Sequence, residues 1–320
     1  MSVSTQSPTI LTSADKTELQ VICGERVAFD DPLAPYTSWK IGGPADARIL
    51  LEDEMQLAQI MRFALRRKMP WFVLGSGSNL LVGDGGIRGL VLRLTGTFAA
   101  ITAHEEAAEV RIEAGASASM ASVTAKAASL GALGIGSLAG IPGTIGGSLR
   151  MNAGTDSEIG DFVREVWVQS PSKPSAHAVS VQYFYRHTSL ARDVVVSRII
   201  LAFQRGDPKT VREEMQARLV RRKATQPIAL PNAGSCFRNP PGEKAARLIE
   251  AAGAKGWREG GAEVSPLHAN FINNVDGASA KDVATLLARV RREVYDRFGV
   301  ELQLEVHLDG VFVDETGNEE

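Results

Sequence analysis

Two glycine-rich loops are the stretches of this chain best suited to hold an anion: Gly75-Ser-Gly-Ser-Asn-Leu-Leu81 and Gly140-Ile-Pro-Gly-Thr-Ile-Gly-Gly147. Glycine admits positive φ and lets backbone come close to a ligand. Successive N–H groups in such turns form concave anion sites. One loop alone would read as a tight turn. Two together suggest a diphosphate held from two sides, as in a dinucleotide such as FAD.

The first loop fails the Rossmann pattern. A strand precedes it (Trp71-Phe-Val-Leu74), but Leu80 stands where the third glycine belongs. The stretch that follows, Leu81 to Gly89, is too rich in glycine to open a helix. No Gly-Lys-Ser/Thr follows either loop, so a Walker A site is excluded as well.

Three other places carry reactive side chains. In Tyr183-Phe-Tyr-Arg-His-Thr188, Arg186 interrupts an aromatic, strand-like run. It is either an edge arginine facing water or a fork for a carboxylate. In Pro231-Asn-Ala-Gly-Ser-Cys-Phe-Arg-Asn-Pro240, a turn before a helix offers N–H groups and the Ser235 hydroxyl to an anion. No base accompanies Ser235, so a hydrolase triad is not indicated. The closing segment Val300-Glu-Leu-Gln-Leu-Glu-Val-His-Leu308 alternates strictly, which predicts a strand with Glu301, Gln303, Glu305 and His307 on one face. Such a face ordinarily meets solvent. Covered by another domain, one of its carboxylates would favour the neutral acid. The five histidines lack helical metal-ligand spacing, so no metal site is expected.

Bulk composition narrows the class. With 320 residues, 44% apolar and 22% charged, the chain suits two or three domains of a globular protein. A net charge of −2 argues against a broad nucleic-acid surface. Two cysteines, Cys23 and Cys236, build neither a disulfide framework nor a zinc site, and fit a reducing cytoplasm; Cys236 reads as a small packing residue. No signal peptide or membrane span is expected. Residues 1–19 and 311–320 read as flexible tails.

The elements that must position these residues follow from periodicity. Helices are predicted over residues 54–68, 119–130, 207–223, 242–252 and 279–298. Leu57, Ile60, Met61, Ala64 and Leu65 share a face of the first; Val283, Leu286, Leu287, Val290, Val294 and Phe298 share one of the last. Strands are predicted at 71–74, 90–94, 109–113, 163–169, 179–184, 194–203, 269–274 and 300–308. A βαβ-like unit thus precedes a mostly antiparallel α+β half.

Taken together, the segments resemble the MurB family of UDP-N-acetylenolpyruvoylglucosamine reductases. The likeness runs from about residue 20 to 310. It rests on Thr37-Ser-Trp-Lys-Ile-Gly-Gly-Pro-Ala45, both glycine loops, Met151-Asn-Ala-Gly154, Tyr185-Arg186, Asn232-Ala-Gly-Ser-Cys-Phe-Arg-Asn-Pro240, Ser265-Pro-Leu-His-Ala-Asn-Phe271 and Leu304-Glu-Val306. The resemblance implies an α+β fold with two FAD-binding subdomains of the PCMH/VAO type (20–94 and 95–206) and a C-terminal α+β substrate-binding domain (207–310). It implies FAD as cofactor and NADPH as co-substrate, with UDP-N-acetylglucosamine enolpyruvate reduced to UDP-N-acetylmuramate in peptidoglycan precursor synthesis. Hydride passes from the flavin N5 to C3 and a proton reaches C2. A bacterial cytoplasmic monomer is expected, without nucleic-acid or membrane partners.

The family's roles carry over residue by residue. Arg186 and Glu305 would support the enol form and Ser235 would donate the proton. FAD contacts would come from Gly75, Ser76, Gly77, Ser78, Asn79, Leu80, Gly140, Pro142, Gly143, Thr144, Gly146, Gly147, Asn152 and Gly154. Substrate contacts would come from Tyr185, Arg238, Asn239, His268 and Asn270. Two positions depart: Arg238 stands where the family usually has lysine, and Thr188 where it has serine. The short spacing from Arg186 to Ser235 matches the shorter type II form, which lacks the longer subtype's tyrosine-bearing loop. Two alternatives stay open: another FAD-dependent oxidase or dehydrogenase, and a nucleotide-sugar-binding protein without catalysis.

Overall fold

The computed structural model describes residues 11–312, which divide into two compact units. One holds residues up to 29, 47–75 and 89–222. The other holds 30–46, 76–88 and 223 onward. The stretches 30–46 and 76–88 lie in sequence within the first expected subdomain, yet cluster with C-terminal residues.

A four-stranded sheet, most of whose residues fall in the first unit, has the order Val27–Pro32, Pro44–Leu51, Ile87–Leu94, Trp71–Val73. The last two run parallel, Trp71 opposite Leu90. Ala47, Ile49 and Leu51 are fully buried in alternation, as a strand covered on one face requires. The Glu54–Arg67 helix begins where Asp53 accepts the Gln56 N–H at 2.8 Å. Leu57, Ile60, Met61 and Ala64 are buried, but Leu65 is exposed, since it lies about 90° round from the stripe's centre.

The expected N-terminal tail is corrected. Ser13–Cys23 is a helix with a capping box between Thr12 and Asp15, and Leu11, Leu19 and Cys23 join the core. The rest of the expected tails, residues 1–10 and 313–320, lies outside the described residues; Val311 bridges to Gly86.

The same unit contains a five-stranded sheet in the order Ile101–Glu105, Glu109–Gly115, Val195–Gln204, Val163–Gln169, His177–Val179. All its pairings are antiparallel. The Met120–Ser129 and Ile145–Arg150 helices share its core. Ala114, Ala116, Ala118, Ala127 and Ala128 are buried there, so backbones can approach closely. The expected strand over 179–184 is broken. His177–Val179 stays in the sheet, whereas Tyr183–Phe184 pairs with His187–Thr188 as a separate hairpin.

In the second unit the Ala280–Phe298 helix buries Val283, Leu286, Leu287, Val290 and Val294. Phe298, the last residue before the Gly299 cap, is exposed. The shorter helix is confined to Ala245–Ala251. Three antiparallel strands, Arg258–Glu259, Ala262–Val264 and Ile272–Asn274, complete this layer, so the expected strand over 269–274 forms only in its second half. Trp39 is wholly buried among these residues, and its Nε1 donates to the Ile272 carbonyl at 2.7 Å. The expected strand over 300–308 is also corrected. Only His307–Asp309 is ladder-paired, parallel to Leu80–Val82, and Leu304 makes an isolated bridge with Phe237. Leu302 and Val306 are buried while Leu308 is exposed; the alternation holds in part without a continuous ladder. No helix among the described residues is long and apolar enough to cross a membrane.

Ser279 caps the long helix, and the Asp84 carboxylate accepts the Ala280 and Lys281 N–H groups at 2.8 and 3.1 Å. Two otherwise orphaned donors are satisfied by an anion at the positive end of the dipole. Asp84→Ala should therefore cost about 1–2 kcal/mol. A urea midpoint equal to that of the wild type would show the contact to be idle.

Candidate active site

The glycines of the Gly140–Gly147 loop are there for differing reasons. Gly140 and Gly143 have φ of +73° and +130°. A Cβ at Gly146 would fall 2.9 Å from that of Ala116, and its N–H donates to the Ala116 carbonyl at 2.8 Å. Gly146 thus serves close packing, with its donor already engaged. At Gly147 a Cβ would meet nothing nearer than the Thr144 hydroxyl at 3.4 Å, so the protein's own packing does not require glycine there. Bare backbone at that position fits a ligand lying against it. Gly75 reaches the same turn, where its Cβ would stand 2.8 Å from the Thr144 hydroxyl. In the second unit, Gly77 has φ of +62°, and a Cβ there would fall 2.6 Å from the Tyr36 carbonyl. Each loop by itself is bare backbone of the kind that lines an anion site.

Beyond this loop, Asn152 is buried in the left-handed conformation, with φ of +44°. Its Nδ2 donates to Glu158 Oε2 and to the Phe184 carbonyl, and its Oδ1 accepts the Gly160 N–H. Expected as a flavin contact, its amide is committed inside the protein. Gly154, expected beside it, offers its carbonyl to Arg186 Nη2 at 3.3 Å. Arg186 sits at the turn of the hairpin with φ of +60°. Its guanidinium lies 3.5 Å from Glu158 and 4.8 Å from the centre of the Tyr185 ring.

Ser235 and Glu305 belong to the second unit, which places them on neighbouring backbone. The Cys236 carbonyl accepts the Glu305 N–H at 2.8 Å, and the Arg238 N–H donates to the Gln303 carbonyl at 2.8 Å. The turn before Ser235 is set by Asn232, whose Oδ1 accepts the Gly234 N–H at 3.0 Å, and by Gly234 at φ of +75°. The Ser235 hydroxyl makes no hydrogen bond among the described residues. Asn79 of the first glycine loop donates its Nδ2 to the Glu305 carbonyl at 3.0 Å and accepts the His307 N–H at 3.1 Å. A loop expected to touch flavin thereby grips the segment carrying Glu305.

Three residues expected at the substrate instead hold this loop. Asn270 is buried and clamps Phe237 from both sides: Oδ1 accepts its N–H at 2.9 Å and Nδ2 donates to its carbonyl at 2.8 Å. The His268 Nδ1 accepts the Asn270 N–H at 3.3 Å, and burial keeps that ring's pKa below the ordinary value. Asn239 accepts the Ala245 N–H at 3.1 Å, at the start of the Ala245–Ala251 helix. Tyr185 remains exposed. The Arg238 Nε is enclosed and has no acceptor among the described residues. Burial pushes the Cys236 thiol up to about 12 and that of Cys23 up to about 11. No group of metal-ligating side chains occurs among the described residues.

An α+β chain with paired glycine loops and a separate C-terminal unit is the build of a flavoprotein. Family models agree: an FAD binding domain matches residues 45–171, and the C-terminal domain of UDP-N-acetylenolpyruvoylglucosamine reductase matches 226–308. The reductase of Moorella thermoacetica is 40% identical over 296 residues, covering 92% of this chain and 96% of its own. Reductase 2 of Symbiobacterium thermophilum is 42% identical over 290 residues, covering 89% and 92%. The crystal structure of MurB from Thermus caldophilus superposes with a TM-score of 0.74 at 32% identity, covering 88% of this chain and 97% of that one. The chain belongs to the UDP-N-acetylenolpyruvoylglucosamine reductase family and is an FAD-dependent oxidoreductase.

The Asn270 clamp closes two buried backbone groups at once. Asn270→Ala should lower stability by about 2–4 kcal/mol, read by thermal unfolding; a change under about 0.5 kcal/mol would exclude the clamp. The two thiols should resist iodoacetamide in the native protein at pH 8. With a pKa of about 12 only on the order of one Cys236 in ten thousand is thiolate at that pH, so rapid stoichiometric alkylation would contradict the burial.

Proposed function

We propose that this chain reduces UDP-N-acetylglucosamine enolpyruvate to UDP-N-acetylmuramate, a step of peptidoglycan precursor synthesis, with NADPH as the reductant. The relatives' names support this substrate. The observation that carries the reading is the backbone bond from Glu305 to Cys236 beside a Ser235 hydroxyl left free for a ligand.

The glycine loops, with Ser76, Ser78, Leu80 and Pro142 among them, would hold the flavin. Bound there, FAD supplies hydride to the enolpyruvyl C3. The chain's own residues answer the charge that results at C2. Arg186 offers a planar, permanently charged fork to the substrate carboxylate, which becomes an enediolate as electrons move onto it. Glu305, in its neutral form, would hydrogen-bond the same developing charge. Ser235 then gives its proton to C2. A hydroxyl is a weak acid, but the carbanion it meets is a far stronger base. Arg238, with its enclosed and unmatched Nε, suits the diphosphate of the UDP-sugar.

The test separates the two halves of the cycle. Flavin bleaching by NADPH should survive Ser235→Ala within about twofold, while recovery of colour on adding the enolpyruvyl UDP-sugar should slow by roughly 10²–10⁴. Equal loss in both halves would remove Ser235 from the proton step. Recovery with oxygen alone would point to an oxidase.

A further inference from the structure

Arg186 stands at the tip of a two-residue turn, where a long side chain would ordinarily sample many rotamers. Here it is fixed from three directions. Glu158 Oε1 lies 3.5 Å from Nη1, the Gly154 carbonyl accepts from Nη2 at 3.3 Å, and the Tyr185 ring lies 4.8 Å from the guanidinium. Glu158 is itself fixed. Asn152 donates to its Oε2, its N–H donates to Asp161 Oδ2 at 2.9 Å, and its backbone bridges to Gly154. The amide of Asn152 also holds the Phe184 carbonyl at 3.1 Å, at the base of the Arg186 turn. One buried side chain thus ties the carboxylate to the hairpin that carries the guanidinium.

We infer that Glu158 is the positioning residue for Arg186, holding its guanidinium in the orientation that receives the substrate's carboxylate. This assignment rests on the reductase reading above. The ion pair is partly shielded, with side-chain exposures of 28% for Glu158 and 18% for Arg186, so it works in a setting where water competes weakly. Pre-set geometry removes the rotamer entropy that substrate would otherwise have to freeze.

The pairing also predicts a pH signature. Burial raises the Glu158 pKa above 4.5, the Arg186 charge opposes that rise, and Asp161 adds to it. Tyr183, whose ring lies against Gly160, is pushed up to about 12 by burial and stays neutral. As pH falls toward the raised Glu158 pKa, the carboxylate gains a proton and its ionic hold on Arg186 is lost. Reduction of the enolpyruvyl group should therefore fail on the acid side.

The experiment uses Glu158→Gln in the full FAD-loaded protein, which keeps size and an acceptor oxygen but removes the charge. Bleaching by NADPH should stay within about twofold of wild type. Reoxidation by the enolpyruvyl UDP-sugar should slow about 10- to 100-fold, with its acid limb lost. Affinity for UDP-N-acetylmuramate, measured by calorimetry, should weaken about tenfold. Wild-type reoxidation with the acid limb intact in the variant would overturn the assignment. So would equal slowing of both halves, which would mark Glu158 as a support of the fold alone. If the wild type itself is not reoxidised by this substrate, the reductase reading falls and takes the assignment with it; if only the variant matches wild type, the assignment alone falls.

Discussion

The bond from the Glu305 N–H to the Cys236 carbonyl, 2.8 Å long, is the constraint on which the C-terminal unit's chemistry depends. Ser235 and Glu305 are far apart in sequence, and both lie in irregular segments. A side-chain contact between them would leave either free to drift. A backbone bond fixes the chain itself, so the reactive groups inherit their separation from peptide geometry. The clamp of Asn270 on Phe237 and the Arg238–Gln303 bond extend that short pairing on one side, and Asn79 extends it on the other. Rigid support of this kind is what the proposed proton donor and carboxyl would need to act together.

The first unit solves a related problem differently. Arg186 and Asn152 both adopt the left-handed conformation, which costs residues other than glycine of order 1 kcal/mol each. That cost is offset by the hydrogen bonds the conformation permits: Asn152 satisfies its whole amide, and Arg186 turns its fork towards the Gly154 carbonyl. These two positions lie in the hairpin and in the turn facing it, and the five-stranded sheet beside them carries irregularities of its own at Val196/Arg198 and Ile200/Leu201.

Much of this was legible in the residues. The helices predicted from 207 and 279 begin where Asp207 and Ser279 each accept a backbone N–H, because capping is a local interaction written within four residues. Three strands of the antiparallel sheet, Glu109–Gly115, Val163–Gln169 and Val195–Gln204, were equally plain, whereas Ile101–Glu105 was missed. The segment 300–308 misled, because alternation reports which side chains face the core but not whether a partner strand exists. The Ser13–Cys23 helix was missed although Thr12 and Asp15 spell its capping box, since a polar N-terminus reads as tail by composition. The roles of Asn239, His268 and Asn270 could not be read either: a polar side chain in a loop serves a ligand or the loop itself, and only coordinates decide. Glu158 gave no signal at all. It is one of 37 acidic residues, and its partner lies 28 positions away.

Cys236 lies between Ser235 and the clamped Phe237. Reduced flavins in air generate hydrogen peroxide, whose preferred target is thiolate sulfur. Burial keeps this sulfur protonated, which makes it a poor target for peroxide. Resistance of this sulfur to peroxide would thus follow from the close packing around Phe237.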